Sequence, residues 1–282
     1  MPSSADVAWV VLTRGDRPDA LEAAVASLRP APVTVVVNSA DTTASVPDSV
    51  DVLWAGENVG VPGGRDRGLR VTRADVVGFL DDDAEAQPGL EVEVSRAFAA
   101  DEQLGAVALR LVDEHGSTAR RHTPRVGSHG ADEPGEVALF LGGACAIRRA
   151  AYEQAGGYWT DLFFGHEEVE LAWRLIDHGW RIRYLPDVTV FHPRTEIGRH
   201  PDGWRMTGRN RVMIARRTLP WPIAAAHVAI WLLLGVVRAP GATNRRAYLA
   251  GWRAGWRQPV DRAPIRWSTV LRLTKLGRPP VV

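Results

Sequence analysis

Apolar residues in the first third of the chain come in short runs. Val7 to Leu12, Val33 to Val37, Val50 to Trp54 and Val76 to Leu80 are rich in β-branched residues and read as strands. Between them, Asp19 to Leu28 carries Leu21, Ala24, Val25 and Leu28 at helical spacing, and Arg65 to Arg73 reads as a second helix. Strand alternating with helix predicts parallel βαβ units. Such sheets bind ligands beyond the carboxyl ends of their strands. That rule directs attention to Thr13–Asp16, Asn38–Thr42, Ala55–Gly64 and Asp81–Asp83.

Further along, the pattern predicts a helix over Leu90–Ala100, a strand near Ala106–Leu111 and a polar loop from Asp113 to Glu136 that holds His115, His122 and His129. An apolar stretch, Val137 to Ile147, is split by Gly142 and Gly143. A helix over Val169–His178 is stopped by Gly179, and Arg181–Leu185 and Val188–Phe191 read as two short strands. Near Arg199 the composition changes. Beyond it Asp202 and Asp261 are the acidic residues among many arginines, and Trp204, Trp221, Trp231, Trp252, Trp256 and Trp267 recur. The expected division is a catalytic domain at 1–198 and a basic, Trp-rich helical extension at 199–282. Tryptophan with cationic side chains suits a membrane interface, and packing on the catalytic domain, or on another subunit to form a homo-oligomer, is the equal alternative. The apolar run Ile223–Val237 has 15 residues, short of the ~20 that span a bilayer.

Composition adds little. Of 282 residues 45% are hydrophobic and 24% charged, ordinary for a globular protein, and the net charge of +1 points to no nucleic-acid partner. A lone cysteine, Cys145, fits a reducing compartment, and Met1 to Asp6 shows no signal-peptide pattern. The expected location is cytoplasmic, at most peripheral on the inner face of the membrane.

Four segments carry candidate chemistry. Asp81-Asp82-Asp83 ends a strand with three adjacent carboxylates, whose repulsion a divalent cation would relieve; oxygen ligands suit Mg²⁺ or Mn²⁺. A solvated acidic turn is the plain alternative. The stretch Glu57 to Gly68 is glycine-rich, and a helix starting near Arg65 would aim N–H groups at an anion, with Arg65 or Arg67 pairing a phosphate. An ordinary Gly-rich turn is the alternative. His166-Glu167-Glu168-Val169-Glu170 opens a helix with carboxylates, one of which could serve as general base. His192, at a strand end, could complete a metal site.

Taken in order, Thr13-Arg14, Asn58-x-Gly-x-x-Gly-Gly, the triple Asp, Gly142-Gly143-Ala144, Glu167-Glu168-x-Glu170-Leu171-x-x-Arg174 and His192 resemble the family 2 glycosyltransferases, above all their bacterial rhamnosyltransferase- and galactofuranosyltransferase-like branch. The resemblance covers Val7 to His192, about two thirds of the chain. It implies an α/β GT-A fold: a Rossmann-like nucleotide-binding half, a mixed and mainly parallel sheet flanked by helices, and here a C-terminal helical extension. It implies that Asp83 holds a Mn²⁺ or Mg²⁺ ion with His192, and that Asp81 and Asp82 approach the ribose and sugar. Glu168 would deprotonate the acceptor hydroxyl. Thr13, Arg14 and Asn38 would line the base, and Asn58, Gly60, Gly63, Gly64 and Asp66 would form the donor loop, with Arg65 supporting charge. Glu168 stands where Asp is commoner, a longer base of similar pKa. Asn38-Ser39-Ala40-Asp41 departs from the usual Asp-Asn-x-Ser. The implied reaction is inverting transfer from a dTDP- or UDP-linked sugar, a rhamnosyl donor preferred, to a hydroxyl of a saccharide or lipid-linked acceptor. A sugar nucleotidyltransferase and a non-catalytic nucleotide-sugar-binding protein are the competing readings.

Overall fold

The computed structural model describes residues 5–40, 43–125, 130–194 and 202–281. The expected boundary at 198/199, Asp41 and His129 lie outside them. Strands β1 (Val7–Thr13), β2 (Val33–Val37), β3 (Asp51–Trp54) and β4 (Val76–Asp81) pair in parallel in the order β3-β2-β1-β4. Helix α1 (Pro18–Ser27) and helix α2 (Gly60–Val71) make the crossovers. The sheet continues past β4 with β8 (Ala144–Arg148), β6 (Leu104–Val112), β9 (Arg181–Phe191) and the short β5 (Glu85–Ala86); β7 (Gly135–Glu136) also pairs β9. Here β8 runs antiparallel to both β4 and β6, while β6 and β9 are parallel, so the sheet is mixed. Helices α3 (Leu90–Ala99), α4 (Arg149–Gln154) and α5 (Glu167–Asp177) complete this part. Both faces of the sheet bury apolar clusters. Trp9, Val11, Val35 and Leu80 belong to one, Val10, Val36, Val77 and Phe79 to the other, as alternate side chains of a strand must.

Two expectations are corrected here. Helix α2 starts at Gly60, five residues before Arg65, with Gly64 and Gly68 on its sheet-facing side. A Cβ at Gly64 would overlap Leu12, and one at Gly68 would come within 2.5 Å of Val10. The glycines permit close packing of helix on strand. The two short strands predicted on either side of Pro186-Asp187 form one strand, β9; its pairing with β6 shifts register between Leu109 and Arg110, which absorbs the interruption.

The C-terminal segment is helical: α6 (Gly203–Thr218), α7 (Trp221–Arg238), α8 (Gly241–Arg257) and α9 (Trp267–Lys275). Helices α6 and α8 cross closely because Gly208, Gly251 and Gly255 leave no side chain between the backbones; a Cβ at Gly255 would sit 2.6 Å from the Arg209 carbonyl. Val212, Met213, Ala215 and Leu273 bury into the same apolar cluster as Val10 and Phe79, so the extension shares the core of the sheet. At 18 residues α7 is about 27 Å long, longer than the apolar run suggested. Trp221, Leu233 and Val237 are exposed on it, 59%, 69% and 76% respectively.

Candidate functional site

The topology gathers the expected residues at the carboxyl ends of β1, β2 and β4. Leu12 pairs with Asp81, so Thr13 faces the turn that follows β4. That turn is closed by Ala84 N–H donating to the Asp81 carbonyl, 3.1 Å, and runs at once into β5. Because β5 pairs with the end of β9 (Glu85 with Phe191), His192 is delivered beside Asp83.

Asp81, Asp83 and His192 form a cluster whose ligand atoms lie within 4.8 Å of one another. His192 Nε2 is 3.4 Å from Asp83 Oδ1 and 3.8 Å from Asp81 Oδ2. The Pro193 carbonyl lies 2.8 Å from Nδ1 and can only accept, so Nδ1 carries a proton and Nε2 is the ring nitrogen facing the carboxylates, available to a metal as a lone-pair donor when unprotonated. Two hard oxygen donors and a neutral imidazole fit Mn²⁺ or Mg²⁺. Asp81 therefore groups with the candidate ligands rather than with the ribose-facing positions.

Asp82 points the other way. It is 3% exposed, accepts from Thr13 Oγ1 at 2.7 Å and pairs with Arg17 at 2.6 Å. Burial, helped by Asp83 and Asp81, pushes its carboxyl up to about 6 against the pull of Thr13 and Arg17. Asp82 and Thr13, both expected to approach the donor, are each other's hydrogen-bond partners in this structure. Arg17, which also pairs with Asp83, is a cation that sequence reasoning missed; only its fold neighbours mark it out.

The donor loop is likewise braced from within. Asn38, 4% exposed, donates through Nδ2 to the Gly60 carbonyl (3.0 Å) and accepts from Val59 N–H (2.9 Å). Asn58 Oδ1 accepts from Gly60 N–H at 3.0 Å, and the Phe163 carbonyl accepts from Val61 N–H at 2.7 Å. The next residue is Pro62, which has no N–H. All four free donors that a helix start normally offers are thus accounted for, and the α2 N-terminus is not an anion cradle. Gly60, at φ +75°, lies against the Phe163 backbone and tolerates no Cβ. Gly63 and Gly64 pack on Val59 and Leu12, and Asp66 accepts from Arg70 Nε and Tyr152 OH at 2.7 Å each. Each of these three expected donor-loop positions thus has an internal partner in the fold. Arg14 is exposed just past β1, and Asn58 is exposed at the mouth of the loop.

Arg65 links the two halves of the site. Its guanidinium donates to Asp81 Oδ1 at 3.1 Å and to Glu168 Oε1 at 3.2 Å, with Glu167 at 3.6 Å. Burial opposes its charge, but the carboxylates of Asp81 and Glu168 outweigh that and hold it firmly cationic. Gly142 N–H also donates to Glu168, 3.3 Å. Any Cβ at Gly142 would overlap Arg65 and Glu168, and one at Gly143 would overlap Asp81, so this pair of glycines makes the room in which the two carboxylates meet.

Glu167 and Glu168 are delivered by a tight turn with Phe163 (φ 61°), Gly165 (φ 84°) and His166 (φ 72°) in left-handed conformations. The turn is held from α6: Asn210 Nδ2 donates to the carbonyls of Leu162, Phe164 and Gly165 at 2.8–2.9 Å, and Arg209 donates to Leu162 at 2.6 Å. The C-terminal helices thus support the candidate base directly. Farther along α5, Arg174 bonds Glu170 through two nitrogens (2.8 and 2.5 Å) and also the carbonyls of Ala155 and Gly157. That makes Arg174 structural. Arg174→Met should cost about 3–5 kcal/mol of stability by leaving Glu170 buried with its main counter-charge gone, read as a lowered urea midpoint at unchanged slope.

Glu167 is buried and its Oε2 has no partner among the described residues. Burial and the adjacent Glu168 charge push it up to about 8, Arg65 pulling the other way. Unfolded, the group ionises near its ordinary 4.5. Between these values the folded state holds a proton that the unfolded state has released, so stability falls as pH rises through this range and is greatest below it. Glu167→Gln should abolish that fall. Wild-type and variant unfolding midpoints measured from about pH 5 to 8 should converge at the acid end and separate, variant higher, at the other.

A sequence-family model described as glycosyl transferase family 2 matches residues 17–156. Among curated proteins, a pre-mycofactocin glycosyltransferase of Mycobacterium tuberculosis is 28% identical over 260 residues, covering 83% of this chain and 54% of its own. An N-acetylglucosaminyl-diphospho-decaprenol L-rhamnosyltransferase of the same organism is 28% identical over 138 residues, 48% of this chain and 33% of its own. The chain spans about half the length, or less, of these relatives. Among solved structures, a mannosyltransferase from Pyrobaculum calidifontis in complex with GDP-Man and Mn²⁺ superposes with a TM-score of 0.56 at 18% identity, covering 97% of this chain and 79% of its own.

Proposed function

Given that the chain belongs to the family 2 glycosyltransferases and has their GT-A fold, we propose that it transfers a sugar, with inversion, from a nucleoside-diphosphate sugar to a hydroxyl of a saccharide or lipid-linked acceptor. The observation that carries this reading is the pairing of a candidate metal cluster (Asp81, Asp83, His192) with a candidate base (Glu168), joined by Arg65. A divalent ion held by the cluster would supply charge neutralisation for the departing nucleoside diphosphate.

The chain's own groups have the remaining roles. Glu168 accepts the acceptor's proton, and Gly142 N–H and Arg65 hold its Oε1 in position. The same Arg65 ties Asp81 to Glu168, so leaving-group and acceptor sides keep a fixed separation. Arg14 and Asn58, the exposed members of the donor set, line the entrance on the nucleotide side. A rhamnosyl donor is favoured by the relative named for rhamnosyl transfer, and dTDP- and UDP-sugars are the first to try. Anomeric proton couplings of the product test inversion: a product with the donor's own anomeric configuration would refute it.

The exposed apolar face of α7, followed by the exposed Arg238, Arg245 and Arg246, supports a peripheral position on an anionic membrane surface. Leu233→Glu combined with Val237→Glu should lower sedimentation with vesicles containing phosphatidylglycerol by about tenfold or more without changing the far-UV spectrum. Equal sedimentation of variant and wild type would refute it.

A further inference from the structure

Three arginines from separate parts of the chain, Arg211 on α6, Arg238 at the end of α7 and Arg278 after α9, converge on a cavity of about 220 Å³ that the transfer chemistry does not use. Trp231 forms part of its wall. The volume is several times the ~30 Å³ that one water takes up in the liquid. Among the described residues, none of the three guanidinium groups forms an ion pair or hydrogen bond. Arg211 Nε is buried without a partner, and so is the indole N–H of Trp231. The ring of Trp231 lies 3.4 Å from the Arg211 guanidinium and 5.3 Å from that of Arg238, partial compensation for these two cations.

Elsewhere the contrast is plain. Buried Arg65 faces Asp81 and Glu168, and buried Arg174 faces Glu170. Burial, with Arg278 and Arg238 adding repulsion, pushes Arg211 down to about 9, and burial also lowers Arg278. Like charges gathered in a walled cavity without a counter-charge are costly unless an anion joins them. The guanidinium fork matches phosphate oxygens, and three such groups suit a multiply charged anion.

Position suggests whose anion it is. Val169, which lines the cavity, directly follows Glu168; Leu139, also lining it, lies three residues before Gly142, whose N–H bonds Glu168. The other wall includes Leu234, beside the exposed apolar face of α7. We propose that Arg211, Arg238 and Arg278 seat a phosphate or diphosphate group carried by the acceptor, apart from the site for the donor's diphosphate. This rests on the reading of Glu168 as the acceptor's base.

The test is calorimetric titration of the full chain in EDTA and about 0.15 M salt, so that no metal bridges a diphosphate to Asp83. The probes are inorganic diphosphate and farnesyl diphosphate. Saturable binding is expected in wild type and in Asp83→Ala. It should weaken about tenfold in Arg238→Gln and further in Arg211→Met, and stay unchanged in Arg257→Gln, an exposed arginine outside the cavity. Arg238 is exposed, so its variant keeps the fold, and Arg211→Met should melt no lower than wild type without ligand because it removes an unpaired charge. Tighter binding of farnesyl diphosphate would assign the anion to a lipid-linked acceptor, and equal binding to a water-soluble one; both retain the site. No saturable binding, or equal binding in Arg238→Gln and Arg211→Met, would overturn it. Nucleoside diphosphate binding with Mn²⁺ is read separately on the same samples, so loss of the donor reading and loss of this site are told apart.

Discussion

Glu168→Gln is expected to lower the rate of sugar transfer by roughly 10²–10⁴-fold, the usual contribution of a positioned general base, while leaving nucleotide affinity within about twofold. Gln keeps an oxygen to accept from Gly142 N–H and Arg65, which bond Glu168 at 3.3 and 3.2 Å, so the turn that carries it should hold its shape. What it loses is the capacity to take a proton. The informative comparison is kcat for transfer against the dissociation constant of the nucleoside diphosphate. If both change together, the residue organises the site instead. A second comparison is with Glu167→Gln: its carboxyl is buried beneath Glu168 and holds its proton near neutrality, so it should retain far more activity.

Asp83→Ala has the next largest expected effect. It removes one of two carboxylates from the candidate metal cluster and leaves His192 and Asp81. Losing several kcal/mol of charge stabilisation at the leaving diphosphate corresponds to roughly 10²–10³-fold in rate at 1.36 kcal/mol per tenfold. Arg17 would still pair with Asp82, so the β4–β5 turn keeps an ion pair. The thermal stabilisation that Mn²⁺ plus a nucleoside diphosphate gives the wild type should vanish in the variant. An Asp83→Ala protein stabilised as strongly as wild type would exclude Asp83 as a ligand.

Much of this architecture is legible in the sequence, for identifiable reasons. Val33–Val37 and Val76–Leu80 are almost wholly apolar and carry no charge because the sheet buries both their faces, and their ends locate Asn38 and Asp81. The meeting of Asp83 with His192 follows from motif order. What escaped depends on three-dimensional neighbours. The start of α2 was hidden because glycine and proline read as loop, whereas here Leu12 and Val10 demand residues without side chains. Asn38, Thr13, Asp82 and Asp66 have the right chemistry for ligands, but each is satisfied internally, which no spacing reveals. Arg17 is one of two arginines in a polar loop, with no motif to mark it. Arg211, Arg238 and Arg278 are ordinary members of a basic tail until two helices and the segment after α9 bring them to one cavity.

The central claim is that the chain breaks a nucleoside-diphosphate sugar at the sugar–phosphate bond with a metal held by Asp83. The most direct measurement is analysis of products from dTDP-, UDP- and GDP-sugars incubated with the protein, with Mn²⁺ or EDTA, and with Asp83→Ala in parallel. The account predicts metal-dependent release of the nucleoside diphosphate from at least one donor, lost in EDTA and in the variant. Release of inorganic diphosphate instead, or nucleotide-sugar binding that is indifferent to metal and gives no turnover, would contradict it.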